Sequence, residues 1–198
     1  MFISTKVLTK LIKDSYKIRL RVGYLDGGIL IVGNEWAVWI DYEHVPNKVK
    51  GLIVELAGGL PDKKKLFAVC KDYPNPQYEI ITPDITTLFD AIDHANNSLS
   101  ISPITLKGSI RLLQTKDPLQ NIVEVKEKLL DLIDLSELNY EVEGEPTGPC
   151  YASDPYGSIY WYNDTGKLLI MSQGKRDNPL FSILSEVTFD EKLLVKKE

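Results

Sequence analysis

Residues 4–17, STKVLTKLIKDSYK, separate into two faces when wound at about 100° per residue. Val7, Leu8, Leu11 and Ile12 fall on one side, and Lys6, Lys10, Lys13 and Lys17 fall in a narrow arc on the other. This pattern predicts an amphipathic helix over residues 5–16, capped by Ser4 or Thr5. The period then changes to two. YKIRLRVGYL places Ile18, Leu20 and Val22 on one strand face, DGG at 26–28 makes a turn, and ILIVGNEWAVWIDYEHV returns as one or two strands. GLIVEL reads as a further strand. PDKKKLFAVCKDY reads as a short helix entered at Pro61, with Leu66, Phe67 and Cys70 on one side.

The second half repeats the alternation of periods. QYEIITP is a short strand, and DITTLFDAIDHANN a helix capped by Asp84 with Ile85, Leu88, Phe89 and Ile92 on its apolar face. SLSISPITLKGSIRLLQ reads as strands broken at Pro103 and Gly108, and NIVEV leads into a helix, KEKLLDLIDLSEL. NYEVEGE, GPCYASD and the hairpin SIYWYNDTGKLLIMS return to strands, and a short helix over 179–186 precedes a frayed charged end. Four helices, near residues 5, 62, 84 and 124, thus alternate with short-turn strand pairs. The expected class is α+β with mostly antiparallel sheets, built from repeated strand-helix-strands units. A division at residues 1–82 and 83–198 is expected.

A chain of 198 residues suffices for one large domain or two small ones, and 43% apolar with 26% charged residues is ordinary for a globular protein. No run approaches the roughly 18–20 apolar residues of a membrane span. MFISTKVLTK lacks a basic region followed by an apolar core, so no secretory signal is expected. Cys70 and Cys150 match no redox or metal spacing, which favours packed thiols and a cytoplasmic location. The net charge of -5 argues against a protein that coats nucleic acid over its whole surface, yet the charges are polarised. Lys6, Lys10, Lys13, Lys17, Arg19 and Arg21 face one acid, Asp14, before residue 22. Between 124 and 145, Glu124, Glu127, Asp131, Asp134, Glu137, Glu141, Glu143 and Glu145 face two lysines.

Catalytic signatures are sparse. His44 and His94 are the two histidines; DYEH offers Asp41 and His44 to a metal, but no second cluster completes a site. No G-x-S-x-G, G-x-x-x-x-G-K-[ST] or G-x-G-x-x-G occurs, and no cofactor is expected. Asp84, with Glu124 and Lys126 of VEVK, has the composition of a metal-dependent nuclease site, where two carboxylates hold a divalent ion and a lysine positions water. That chemistry requires Glu124 and Lys126 on a strand beside Asp84. Trp36 and Trp39, three apart in a strand, point to opposite faces, and Trp161 lies between Tyr160 and Tyr162. Sheet packing accounts for all three tryptophans at least as well as base stacking.

From residue 122 to 171 the order IVEVKEKLLDLIDL, NYEVEGE, GPCYASD, GKLLIMS resembles the closing segment of a bacterial sliding DNA clamp, with Ser172 where that family has proline. The first 45 residues (helix, strand, glycine turn, long strand) are similar to a clamp's opening. The resemblance implies a non-enzymatic protein of DNA replication, which could be phage-encoded. Such a protein is a homo-oligomer whose helices line a hole around double-stranded DNA, held weakly and without reading sequence. It implies that Lys6, Lys10, Lys13 and Lys17 face phosphates. It also implies that Leu169 and Met171, on one face of the KLLIMS strand with Ile170 on the other, border a pocket for a partner's short peptide. No membrane association is expected. The alternatives are a compact protein-binding or inhibitor protein, with the acids of 124–145 as its interface, and the nuclease.

Overall fold

The computed structural model describes residues 1–94, 97–136, 138–151, 157–173 and 179–189. Helix α1 (Thr5–Tyr16) opens the chain, followed by strands β1 (Leu20–Leu25), β2 (Gly28–Val32) and β3 (Trp36–Asp41), then helix α2 (Asn47–Ala57). Strands β4 (Leu66–Val69) and β5 (Gln77–Glu79) and the single turn α3 (Pro83–Thr86) come next. A meander follows, β6 (Asn97–Leu106), β7 (Ile110–Thr115) and β8 (Ile122–Lys126), ending in the turn α4 (Glu127–Leu130). The turn α5 (Tyr140–Glu143), strands β9 (Thr147–Tyr151), β10 (Ser158–Tyr162) and β11 (Gly166–Met171), and helix α6 (Pro179–Leu184) complete the described elements. The class is α+β. The chain divides into two compact units, one of residues 1–89, 131–146 and 162–169, the other of 90–130, 147–161 and 170 onward.

In the first unit the strand order is β5-β4-β1-β2-β3-β11, and the pairings of β1 with β2 and β4, β2 with β3, and β4 with β5 are antiparallel. Asp26 and Gly27, at φ 50° and 80°, form the two-residue turn between β1 and β2 that such twisted hairpins favour. Register places Val22, Ile31, Val38 and Phe67 on one sheet face, all at most 1% exposed. Helix α1 packs against β1 and beside α2, burying Leu8, Leu11 and Ile12; α2 buries Val49, Leu52, Ile53 and Ala57. Each such aliphatic side chain removed from water stabilises by about 1.5–3 kcal/mol. On the other face Leu30, Leu66 and Ile85 form a second cluster joined by Trp39, Leu88 and Phe89. The entry to α1 is tied down by the Ile3–Ile133 bridge, by Ser4 N donating to Leu132 O at 2.7 Å and by Asp134 N donating to Phe2 O at 2.8 Å.

In the second unit the order is β10-β9-β6-β7-β8, with β6 antiparallel to β7 and β9, and β7 to β8. Leu112, Leu113, Val123, Val125, Ile159 and Trp161 are buried. Buried Gln114 donates through Nε2 to Leu184 O and Val187 O at 3.1 and 2.7 Å, and Oε1 accepts from Phe189 N at 3.1 Å. The segment after α6 is therefore fastened to β7.

Six sequence expectations are corrected. GLIVEL is not a strand but the body of α2; Val49, Leu52, Ile53 and Ala57 keep the helical spacing, Pro46 precedes the helix and Gly58, at φ 77°, ends it in the left-handed conformation. The helix expected at 62–72 is instead strand β4, whose four residues are buried on both faces and so show no alternation. The helix expected from Asp84 shrinks to α3 and a 3-10 turn at Asp90–His94; Thr82 is its cap residue, and Asp84 lies inside the first turn behind Pro83. KEKLLDLIDLSEL gives only the turn α4. NYEVEGE is the helical turn α5, because the Asn139 side chain accepts from Glu141 N at 3.2 Å and closes the backbone. Strand β6 also runs through Pro103, with a register shift between Ile101 and Thr105 absorbing the missing N–H. Helix α1, β1 to β3 and α6 form where expected, as do the two strands turning at Asn163 to Gly166, where Asn163 Oδ1 accepts from Thr165 N and Gly166 N. Residues 95–96, 137, 152–154 and 190–198 of the expected segments lie outside the described residues.

Candidate nucleic-acid interface

Lys6, Lys10 and Lys13 stand exposed along α1, and Lys17, its C-cap residue, continues the line past the last turn. Their position follows from the packing of the opposite side: burial of Leu8, Leu11 and Ile12 fixes the rotation of the helix, so the lysine arc must face outward. The neighbouring α2 presents Lys48, Gly51, Leu52 and Glu55, spaced i, i+3, i+4, i+7, toward the same space. Together with Thr9 and Asp14 these side chains line an open groove of about 720 Å3 between the two helices. Five lysines and two carboxylates border it, a local excess of positive charge in a chain that is acidic overall. Lys17 Nζ binds Asp14 Oδ1 at 2.7 Å, the exposed i,i+3 kind of pair that contributes little to stability. The groove offers ammonium groups on flexible stems with no fixed fork of donors, which suits phosphate charge and does not suit reading base edges.

Arg19 and Arg21, part of the same basic stretch in the sequence, do not join the groove. Both bind Glu79 of β5, Arg21 through Nε at 3.1 Å. Gly51 and Glu55 were missed because GLIVEL reads as a strand, and Lys48 because residues 46–50 were assigned to no element; bracketing by Pro46 and Gly58, with Val49, Leu52, Ile53 and Ala57 at helical spacing, is the signal that finds them. Beyond the groove, Tyr24 and Tyr42 stack with centroids 5.0 Å apart, Lys50 Nζ lies 4.3 Å over Tyr42, and Lys167 Nζ lies 5.5 Å over Trp39.

The remaining candidates are placed as follows. Leu169 is 2% exposed and Ile170 is fully buried, whereas Met171 is half-buried and offers some surface. Asp41 Oδ1 meets His44 Nδ1 at 3.1 Å and accepts from Glu43 N at 3.0 Å, which is the role of a strand-end cap. The His94 side chain and Glu137 lie outside the described residues. Glu124 and Lys126 both lie on β8, in the second unit, and Glu124 is 4% exposed; Asp84 belongs to the first unit. Among the described residues no three His, Cys, Asp or Glu side chains gather as a metal site. Trp36 and Trp161 are buried, as packing requires, and Trp39 donates through Nε1 to Leu25 O at 3.0 Å.

The acids of 124–145 have separate duties. Glu127 pairs with Arg111, and Glu143 takes the Met1 ammonium at 2.6 Å. Asp134 Oδ1 accepts from the Ser136 hydroxyl at 2.6 Å and from Ser136 N at 3.0 Å, and these bonds hold its carboxyl below the ordinary value. Burial pushes the Cys150 thiol up, leaving it a packed, unreactive group. No described helix is long and apolar enough to cross a membrane. No protein-family model, curated protein or solved structure matches the chain, so a functional reading rests on its own geometry.

Proposed function

We propose that this chain is a non-enzymatic, clamp-like protein that holds DNA without reading its sequence, through Lys6, Lys10, Lys13 and Lys17 of α1 together with Lys48 of α2. The observation that carries the reading is the shared groove: lysines distant in sequence line one open cleft on two packed helices. The arrangement of the first unit supports it further. A helix and three antiparallel strands follow the bridge at Ile3, and a second helix lies beside the first. Self-association and capture of a partner's short peptide near Met171 belong to the same proposal.

Binding of this kind depends on release of counterions from the nucleic acid, so its affinity falls steeply with salt. Fluorescence anisotropy with labelled duplex DNA of unrelated sequences is expected to give equal affinities. Changing Lys6, Lys10, Lys13 and Lys17 together to Ser is expected to abolish binding with the fold intact. A quadruple variant that binds as well as the parent would reduce the lysine stripe to a solvated helix face. Light scattering reads the self-association directly, and a strict monomer would exclude encirclement.

A further inference from the structure

We propose that one sugar–phosphate backbone lies along the α1–α2 groove and makes its closest approach to the protein at Gly51; this rests on the nucleic-acid reading above. Gly51 sits in the interior of α2, where glycine is a poorer helix former than alanine because it has more backbone freedom to lose. Three ordinary reasons for a glycine fail here. A Cβ built at Gly51 meets nothing within 4 Å, so no neighbour requires its absence. Its φ lies outside the left-handed range that favours glycine, and it ends no helix, since Gly58 does that. The fold gives up stability at this position and takes no packing in return. The bare backbone it leaves lies on the groove's wall, one turn from Lys48 and across from the lysines of α1.

The dimensions fit a backbone. The twelve residues from Lys6 to Lys17 rise about 16 Å, long enough to follow consecutive phosphates of one strand. Five lysines line that length. Glu55, one turn beyond Gly51 on the same stripe, opposes the anion and limits affinity.

The test uses the full chain with Gly51→Ala and Gly51→Leu, followed by thermal unfolding and by anisotropy of labelled oligothymidylate and of a labelled duplex. Gly51→Ala is expected to raise the unfolding midpoint by about 2 °C and to weaken binding at least threefold. Gly51→Leu is expected to weaken it at least tenfold without lowering the midpoint, and Glu55→Gln to strengthen it severalfold. Loss with oligothymidylate alone assigns a free strand, loss with duplex alone assigns one strand of a duplex, and loss with both assigns the shared backbone. If both Gly51 variants bind like the parent while the lysine variant fails, the close approach is wrong and the lysine reading stands. A lower midpoint for Gly51→Ala would make the glycine a requirement of the fold and overturn the proposal. A parent that binds tripolyphosphate but neither oligonucleotide, or nothing at all, removes both readings.

Discussion

The lysine arc of α1 and the acidic run of 124–145 are the two strongest concentrations of charge in the chain, and the fold treats them in opposite ways. One helix with one buried face keeps Lys6, Lys10, Lys13 and Lys17 exposed in a line, and α2 adds Lys48 to the same groove. The acids fall on a strand, on single helical turns and on loops. Glu124 is buried, Glu127 binds Arg111, Asp134 is held by Ser136, and Glu143 neutralises the Met1 ammonium. Charge in sequence becomes a field that a partner can feel only when a single element gathers it on a single face.

The comparison breaks most severely if the buried side of α1 is removed. Ile12→Ala, at a fully buried position, is expected to cost about 2–5 kcal/mol in chemical denaturation and to lose nucleic-acid binding in proportion to unfolding. Glu124→Ala is expected to cost about 1–3 kcal/mol, because truncating a side chain that is 4% exposed leaves a gap in the packing around β8; a surface-like cost within about 0.5 kcal/mol would contradict its assignment to structure.

A smaller effect is expected at Ser136. The hydroxyl and N–H of Ser136 lower the Asp134 carboxyl, so this group stabilises the fold above the ordinary carboxylate range and stops doing so as pH falls through its lowered value. Ser136→Ala should therefore be less stable than the parent at neutral pH and equal to it in strong acid, as read by thermal unfolding across pH. A gap that widens toward acid would give the coupling the wrong sign. The smallest effect is expected for Glu141→Gln with Glu145→Gln, two exposed positions whose neutralisation should change DNA affinity less than twofold.

These two regions also show what the sequence made legible. Helix α1 was readable because its apolar and cationic residues separate over three turns, and β1 to β3 because Asp26 and Gly27 mark a turn between alternating strands. Half of the groove was readable for the same reason. The other half was not: LIVEL in α2 is nearly as apolar as a buried strand, and LFAV in β4, buried on both faces, carries no period at all. The acids were read as one surface because sequence order cannot show which carboxylate acquires a partner from a distant element, as Glu143 does from Met1 and Glu127 from Arg111.

The groove's role is tested most directly by the salt dependence of DNA binding in the parent and in a Lys6, Lys10, Lys13, Lys48→Ser variant. Four phosphate contacts should make the logarithm of the parent's association constant fall against the logarithm of salt with a slope of about -3 to -4. The variant should lose nearly all of that slope while unfolding at the parent's midpoint. A parent slope near zero, or one that the variant retains, would contradict an interface built from these lysines.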